Sequence, residues 1–442
     1  MYTVRLYPKR DLGPIRDLHG VGGGPVGNNF TYDATEDYRE AGIPFCRTHD
    51  IEYPLGAGEY VDIHCIFRDF DKDENDPASY NFTFTDEYLK SIEASGAKTF
   101  YRMGSTIEHQ PVKLYIKPPK DPAKWGRICA HIISHYNEGW ADGFHMGIEY
   151  WEFWNEPEIA PCWTGTQEEF LDFYAAAAPE IKKAHPTVKL GGCAFCSPVG
   201  PLQEKFLARV RDDKLPLDFY SWHGYLHDPR KAKQLAFDAE AILEKYGLGG
   251  TESIYDEWNY VVSFQENIEA CYDLHHRAFM CSFMAAVMSS LQDSPVDKSM
   301  YYDAQMIAAE SWNGVFTYAP AGLHAAMRRP KRLPGYYALY TWNELKKLGT
   351  QIGAESDCGD LFLTAAKNDR GETGLLLSYF NDDALYNSAP PAPAEFRIGM
   401  PGMKAEVRII DEGRTFEPAE APGGVLRMEG NSAAFIRYTS EI

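Results

Sequence analysis

Trp151-Glu152-Phe153-Trp154-Asn155-Glu156-Pro157 decides the fold. It reads as the end of a strand over residues 150–155, with Asn155 and Glu156 at the carboxyl end. Ile254-Tyr255-Asp256-Glu257-Trp258-Asn259 ends a second strand, over residues 252–258, and puts Glu257 at the equivalent place. Between and around them, short apolar runs alternate with amphipathic stretches, the pattern of βα units. Strands are predicted at residues 15–20, 44–50, 98–103, 150–155, 189–195, 218–224, 252–258 and 298–304. The helices that follow them are predicted at 35–41, 85–95, 124–136, 166–184, 202–211, 230–246, 267–291 and 336–347. Eight such units in order give an α/β fold, a (β/α)8 TIM barrel.

After Gly349 the helical period disappears. Strands at 362–365, 374–379, 405–410 and 433–438, split by Pro-, Gly- and Asp-rich turns, predict a small C-terminal β-sandwich. The expected division is a barrel over residues 9–349 and a sandwich over 350–442, which an N-terminal strand at 1–8 could join.

Composition narrows the function. The 442 residues carry a formal net charge of −21, against the basic surface that nucleic-acid binding needs. No window has the length of a membrane span. The opening Met1-Tyr2-Thr3-Val4 lacks the features of a signal peptide. Nine cysteines, an odd number scattered along the chain, suggest a reducing cytoplasm rather than a disulfide framework. The sequons at Asn29 and Asn81 are accordingly read as chance. Aromatic residues reach 14%, which suits both a large core and a cleft of flat rings for sugar faces. Oligomeric state stays open, a homo-oligomer included.

An isolated strand-end Glu reads as a solvated loop residue. Two of them, on strands four and seven of a barrel and each set among aromatics, read as chemistry, because barrel active sites lie on the carboxyl face. Glycoside hydrolysis with retention needs two carboxyl groups about 5–5.5 Å apart, one attacking the anomeric carbon and one protonating the leaving oxygen. The acid is expected to have a raised pKa while the nucleophile stays ionised.

Trp154-Asn155-Glu156-Pro157 with a strand-seven Glu resembles clan A of the glycoside hydrolases, and more finely family 39, the β-xylosidases and α-L-iduronidases. Arg47-Thr48-His49-Asp50, Lys189-Leu190-Gly191-Gly192, Ser221-Trp222-His223-Gly224-Tyr225 and Tyr336-Tyr337-Ala338-Leu339-Tyr340 support the match in order. The resemblance implies Glu156 as acid/base, Glu257 as nucleophile and Asn155 on the sugar 2-hydroxyl. It puts His223 and Tyr225 beside the nucleophile, and Arg47 and His49 around the innermost sugar. Trp258 and Trp312 are candidate stacking platforms, with packing at the barrel rim as the rival. For His49 the rival is a satisfied core histidine. Arg47 and Arg102 are the strand-end arginines that could face a sugar carboxylate, unless Asp50 or Glu108 pairs with them.

The expected activity is therefore a retaining exo-glycosidase acting on a neutral, xyloside-like substrate, with no metal or cofactor. Alternatives are an α-L-glycosidase of the iduronidase or arabinosidase type and a catalytically silent carbohydrate-binding barrel. A metal-dependent barrel hydrolase would have to recruit His49, Asp50, His223 and Asp303.

Overall fold

In the computed structural model, eight parallel strands close into a barrel: Gly20–Gly22, Phe45–Arg47, Lys98–Met103, Tyr150–Phe153, Lys189–Phe195, Phe219–His223, Glu252–Trp258 and Lys298–Tyr301. They are called barrel strands one to eight below. The structure describes residues 1–27, 32–50, 60–265, 268–305, 312–317, 329–382 and 391–440.

Period-two alternation sorts the side chains of each strand between the barrel interior and the helical shell. Phe45, Phe100, Tyr150, Phe219, Ile254 and Met300 form a buried cluster of their own, the apolar floor of the barrel. Each next residue, Cys46, Tyr101, Trp151, Tyr220, Tyr255 and Tyr301, belongs instead to the large core between strands and helices. One step further the chain turns inward again. Arg47, Arg102, Glu152, Ser221 and Asp256 thus form a fully buried polar tier above the floor.

Glycines make room for that packing in barrel strand five. A Cβ on Gly191 would lie 2.1 Å from the Phe219 carbonyl oxygen, and one on Gly192 2.7 Å from that of Phe153. Gly192 also has φ +142°, which other residues rarely adopt.

Helix starts follow local chemistry. Asp121 and Asp228 accept from the amides of Lys124 and Arg230, each ahead of a proline at the first helical position. Thr166 and Glu169 form a reciprocal capping box at the head of Gln167–Ala184.

Several predicted boundaries shift, strand two (Phe45–Arg47 for 44–50) and strand four (Tyr150–Phe153 for 150–155) among them. Residues 15–19 form a connection, and barrel strand one is only Gly20–Gly22. Barrel strand eight ends at Tyr301 rather than at 304. The helix expected over 267–291 is two, Ile268–His275 and Ala278–Gln292. The second is buried almost all round, so it lacks the amphipathic period that marks a helix's limits. Asn267, its expected start, and the Asn29 sequon lie outside the described residues.

Ala278–Gln292 is buried because the second layer lies on it. Its Ser282 hydroxyl lies 2.9 Å from that of Ser378 and donates to the carbonyls of Tyr379 and Ser432. Those residues belong to a nine-stranded sheet that folds over a core including Ile352, Leu375, Phe396, Ile409, Leu426 and Ile436. This is the C-terminal β-sandwich. Its N-terminal strand runs Tyr2–Pro14, longer than residues 1–8. It pairs antiparallel with Thr350–Ser356 and, at Tyr2 and Thr3, parallel with Ala394–Arg397. Among the described residues no helix is long and apolar enough to cross a membrane.

Gly191→Ala should lower the unfolding free energy by roughly 1–3 kcal/mol or more, because backbone rather than a flexible side chain blocks the added methyl. Denaturant unfolding tests this; a change below about 0.5 kcal/mol would mean that strands five and six separate easily.

Candidate active site

Two local departures from strand geometry bring carboxylates to the carboxyl face. At the end of barrel strand four, Trp154 has φ 69° and Glu156 φ 42°, left-handed values that cost other residues than glycine on the order of 1–3 kcal/mol. The surroundings hold them there. The Trp154 amide donates to Met103, its indole N–H to the Cys162 carbonyl, and the Glu156 amide to Ala194. As a result Phe153 and Trp154 both join the outer core, leaving Asn155 and Glu156 for the site.

Barrel strand seven uses a bulge. Tyr255 is opposite Trp222 and Glu257 opposite His223, so two residues face one between them. A bulge re-aims a side chain, and here the consecutive Asp256 and Glu257 both reach the interior ion pairs.

Arg47 ties these elements together. Its guanidinium donates through Nε to Glu152 at 2.7 Å, through Nη1 to Glu257 Oε2 at 3.0 Å and through Nη2 to Asn155 Oδ1 at 2.7 Å. Asp256 Oδ2 lies 2.9 Å from the same Nε. All three guanidinium nitrogens thus bond protein groups, and Asp50 is not among their partners. Asn155 likewise gives its carbonyl to Arg47, and its amide faces the Cys162 sulfur at 3.8 Å.

His223 bridges the two glutamates. Its Nδ1 is 2.8 Å from Glu156 Oε1, and its Nε2 3.5 Å from Glu257 Oε2. The Tyr225 hydroxyl donates to the other Glu257 oxygen. Ligand atoms of Glu156, His223 and Glu257 lie within 4.8 Å of one another. Burial alone would lower the His223 pKa, but Glu257, Asp256 and Glu156 raise it to about 9.

The carboxyls divide in the direction opposite to that expected from roles alone. Burial pushes Glu156 up, yet the hydrogen bond and charge of His223, helped by the Cys196 thiol, bring it below the ordinary range. Glu257 is raised, by burial and by the charge of Glu156, against the pull of His223, Arg47 and Tyr225. The imidazolium therefore holds the proton beside Glu156.

Other candidates fall in different places. His49 is buried with neither ring nitrogen hydrogen-bonded, 3.4 Å from Asp50. Burial and the charges of Arg102, Arg47 and His223 keep it neutral. Trp312 lies at the mouth, its ring 5.5 Å from Tyr225 and stacked near the exposed Phe264. Trp258 does not reach the site. It follows the bulge on the outward side and packs fully buried against Tyr301 and Phe283, which corrects its reading as a sugar platform. Arg102 pairs with Asp62 at 2.8 Å rather than with Glu108, whose carboxylate accepts from the Leu114 and Tyr115 amides.

Several residues of the site escaped the sequence reading. Glu152 and Asp256 lie beneath it, and Cys196 beside Glu156. Glu158, which accepts from Gln203 and the Cys196 amide, is pushed up to about 7 by burial. Glu152 was legible as a carboxylate between two aromatics in a strand. Asp256 was not, since strict alternation would turn it away from Glu257's side.

His223 also gives a sign to the pH dependence of stability. Its pKa is raised on folding, so its contribution is complete below about 6.5 and disappears as pH rises through about 9. The excess stability of the wild type over His223→Gln should shrink by roughly 3 kcal/mol between about pH 6 and pH 10. Denaturant titrations across that range would show it; a constant difference would mean that the imidazole is neutral throughout.

Comparison with known proteins bears on the family and the fold. Residues 2–406 match the model of glycosyl hydrolases family 39. A β-xylosidase of Geobacillus stearothermophilus is 28% identical over 187 residues, 39% of this chain and 36% of that enzyme. The match thus spans about a third of that relative's length. Among solved structures, a glucosidase from Croceicoccus marinus superposes with TM-score 0.77 at 22% identity, over 100% of both chains. A monomeric β-xylosidase from Caulobacter crescentus gives 0.69 at 16% identity, again over 100% of both. The chain belongs to glycosyl hydrolases family 39.

Proposed function

We propose that the protein is a retaining exo-glycosidase of the β-xylosidase type, with Glu257 as nucleophile and Glu156 as acid/base. The observation that carries this is the approach of the two glutamates, with oxygens within 4.8 Å. Retaining enzymes hold their carboxyls about 5–5.5 Å apart, whereas inverting ones leave about 6.5–9.5 Å for a water.

In the first step a Glu257 oxygen attacks the anomeric carbon as the bond to the leaving oxygen breaks and Glu156 delivers its proton there. In the second, Glu156 takes a proton from water, whose oxygen displaces Glu257 from the sugar. Tyr225 and Arg47 orient one Glu257 oxygen each, so the nucleophile is fixed before substrate arrives. The proton for the first step resides on the Glu156–His223 pair, 2.8 Å across. Once Glu257 is esterified its charge is gone, and Glu156 becomes the readier base.

A neutral sugar fits the charges. Arg47 is consumed by Glu152, Asp256 and Glu257, and the charge of Arg102 is matched by Asp62. Neither charge is left unbalanced for a uronate, although Nε and Nη1 of Arg102 hold no partner, and this balance favours a β-xyloside or β-glucoside over an iduronide. Nine unpaired thiols suit a reducing compartment such as the cytoplasm.

Glu257→Gln should lower kcat by at least about a thousandfold, and a fluoro-sugar should label Glu257. Label on another carboxylate would reassign the nucleophile. Glu156→Ala should cost about 10²–10⁴-fold on alkyl or sugar leaving groups and far less on nitrophenyl glycosides, with rescue by azide. Equal losses on all leaving groups without rescue would remove Glu156 from the acid role. On a panel of nitrophenyl glycosides the β-xyloside or β-glucoside should be cleaved; an iduronide cleaved alone would overturn the neutral-sugar reading.

A further inference from the structure

Beneath Glu257 lies a second pair of carboxyl groups for which the proposed reaction has no use. Glu152 and Asp256 come from barrel strands four and seven, both side chains are fully buried, and both converge on one N–H. Arg47 Nε is 2.7 Å from Glu152 Oε2 and 2.9 Å from Asp256 Oδ2. Only Glu152 accepts it as a hydrogen bond. Glu152 Oε1 and both Asp256 oxygens are buried without a partner in full hydrogen-bonding geometry; the Ser221 hydroxyl is a further donor beside Glu152, and none serves Asp256. A buried carboxylate with no donor is costly, and two of them sharing one donor repel each other besides. A proton between them removes both difficulties, since a carboxylic acid supplies the donor that its neighbour lacks.

The charges around the pair point the same way. Facing it are Arg47 from barrel strand two, His223 from strand six and Glu257 from its own strand, with Glu156 above His223. If all four carboxyls were ionised, they would set four negative charges against two positive ones in a largely buried space. Burial and the charge of Glu152 raise Asp256 well above the carboxylate range, while Arg47, Asp256 and the Ser221 hydroxyl bring Glu152 below it despite burial.

We infer that Glu152 and Asp256 hold one proton between them, carried by Asp256 and donated to Glu152, and that Asp256 is thereby a positioning residue for Glu257. The role rests on the nucleophile proposed above. With the pair carrying a single negative charge, Arg47 keeps enough unbalanced positive field to hold Glu257 ionised. A second charge on the pair would be felt at Glu257 through the shared guanidinium and would favour its protonated, unreactive form. Both residues face inward by the ordinary alternation of their strands, and the bulge adds Glu257 beside them.

The test compares Asp256→Asn, Glu152→Gln and the double variant. Each single amide removes the shared proton and leaves the pair with its one charge. Infrared difference spectra near neutral pH should then lose a protonated-carboxyl band in each single variant relative to wild type. The acid limb of kcat/KM on an aryl glycoside reports Glu257 and should move by less than about 0.3 pH unit in each, even where kcat falls. The double variant removes the charge altogether, so its acid limb should fall by about one pH unit or more. A merely structural pair would lower stability without this pattern in the limb. The inference is overturned if Asp256→Asn loses no acid band, or if either single variant shifts the limb as far as the double. Should the double variant fail to fold, the band and limb of the single variants still decide the matter. Failure of the wild type to cleave any glycoside would refute the proposed function, whereas the infrared band would still report whether the proton is there.

Discussion

The Arg47 guanidinium is the contact on which the site depends. It is fully buried, comes from barrel strand two, and ends on side chains from strands four and seven. Burying an isolated guanidinium would be prohibitive. Here its cost is offset by carboxylates that would be just as costly without it. The exchange makes the tier above the apolar floor interdependent, since removing Arg47 or a charged partner leaves a buried charge uncompensated. It also sets the distances. With one planar fork touching Glu152, Asn155 and Glu257, strands four and seven cannot drift apart, and the two glutamates proposed for catalysis stay close.

That interdependence accounts for local backbone strain. Trp154 and Glu156 sit at left-handed φ values, and strand seven carries a bulge, all within the turn or two of chain that delivers carboxylates to Arg47 and His223. Regular strands would present one inward residue in two. The site instead has Asn155 beside Glu156 and Asp256 beside Glu257. Each departure adds an inward polar group at a place where the alternation of an ideal strand would have sent it to the helices.

Placing His223 between the glutamates changes how the acid is to be understood. A general acid is usually recognised by a carboxyl raised through burial. Glu156 is buried too, but its imidazolium partner outweighs that effect, and the proton belongs to the pair. The family relationship and the fold say nothing on this point; it follows from a 2.8 Å contact between barrel strands four and six.

The sequence by itself determined the barrel, because eight alternations of apolar run and amphipathic stretch leave few other ways to bury so many strands. It also determined the two strand-end glutamates and the carboxyl face on which they lie, and it indicated Tyr225 and His223 as neighbours. The barrel and its glutamates rest on local pattern, which a sequence carries directly; Tyr225 and His223 rest on the family resemblance. The exact strand ends, the break near Arg277 and the long Tyr2–Pro14 strand were decided by tertiary packing. So were the inward turn of Glu257 directly after the inward Asp256 and the outward turn of Trp258 that follows it. The physical reason is that a bulge is a relation between two strands rather than a property of either, and alternation read along one strand does not reveal it. Arg47 makes the same point with charge: its residue type announced an ion pair, but only the closed barrel determined that its partners would be Glu152, Asp256 and Glu257 rather than the adjacent Asp50.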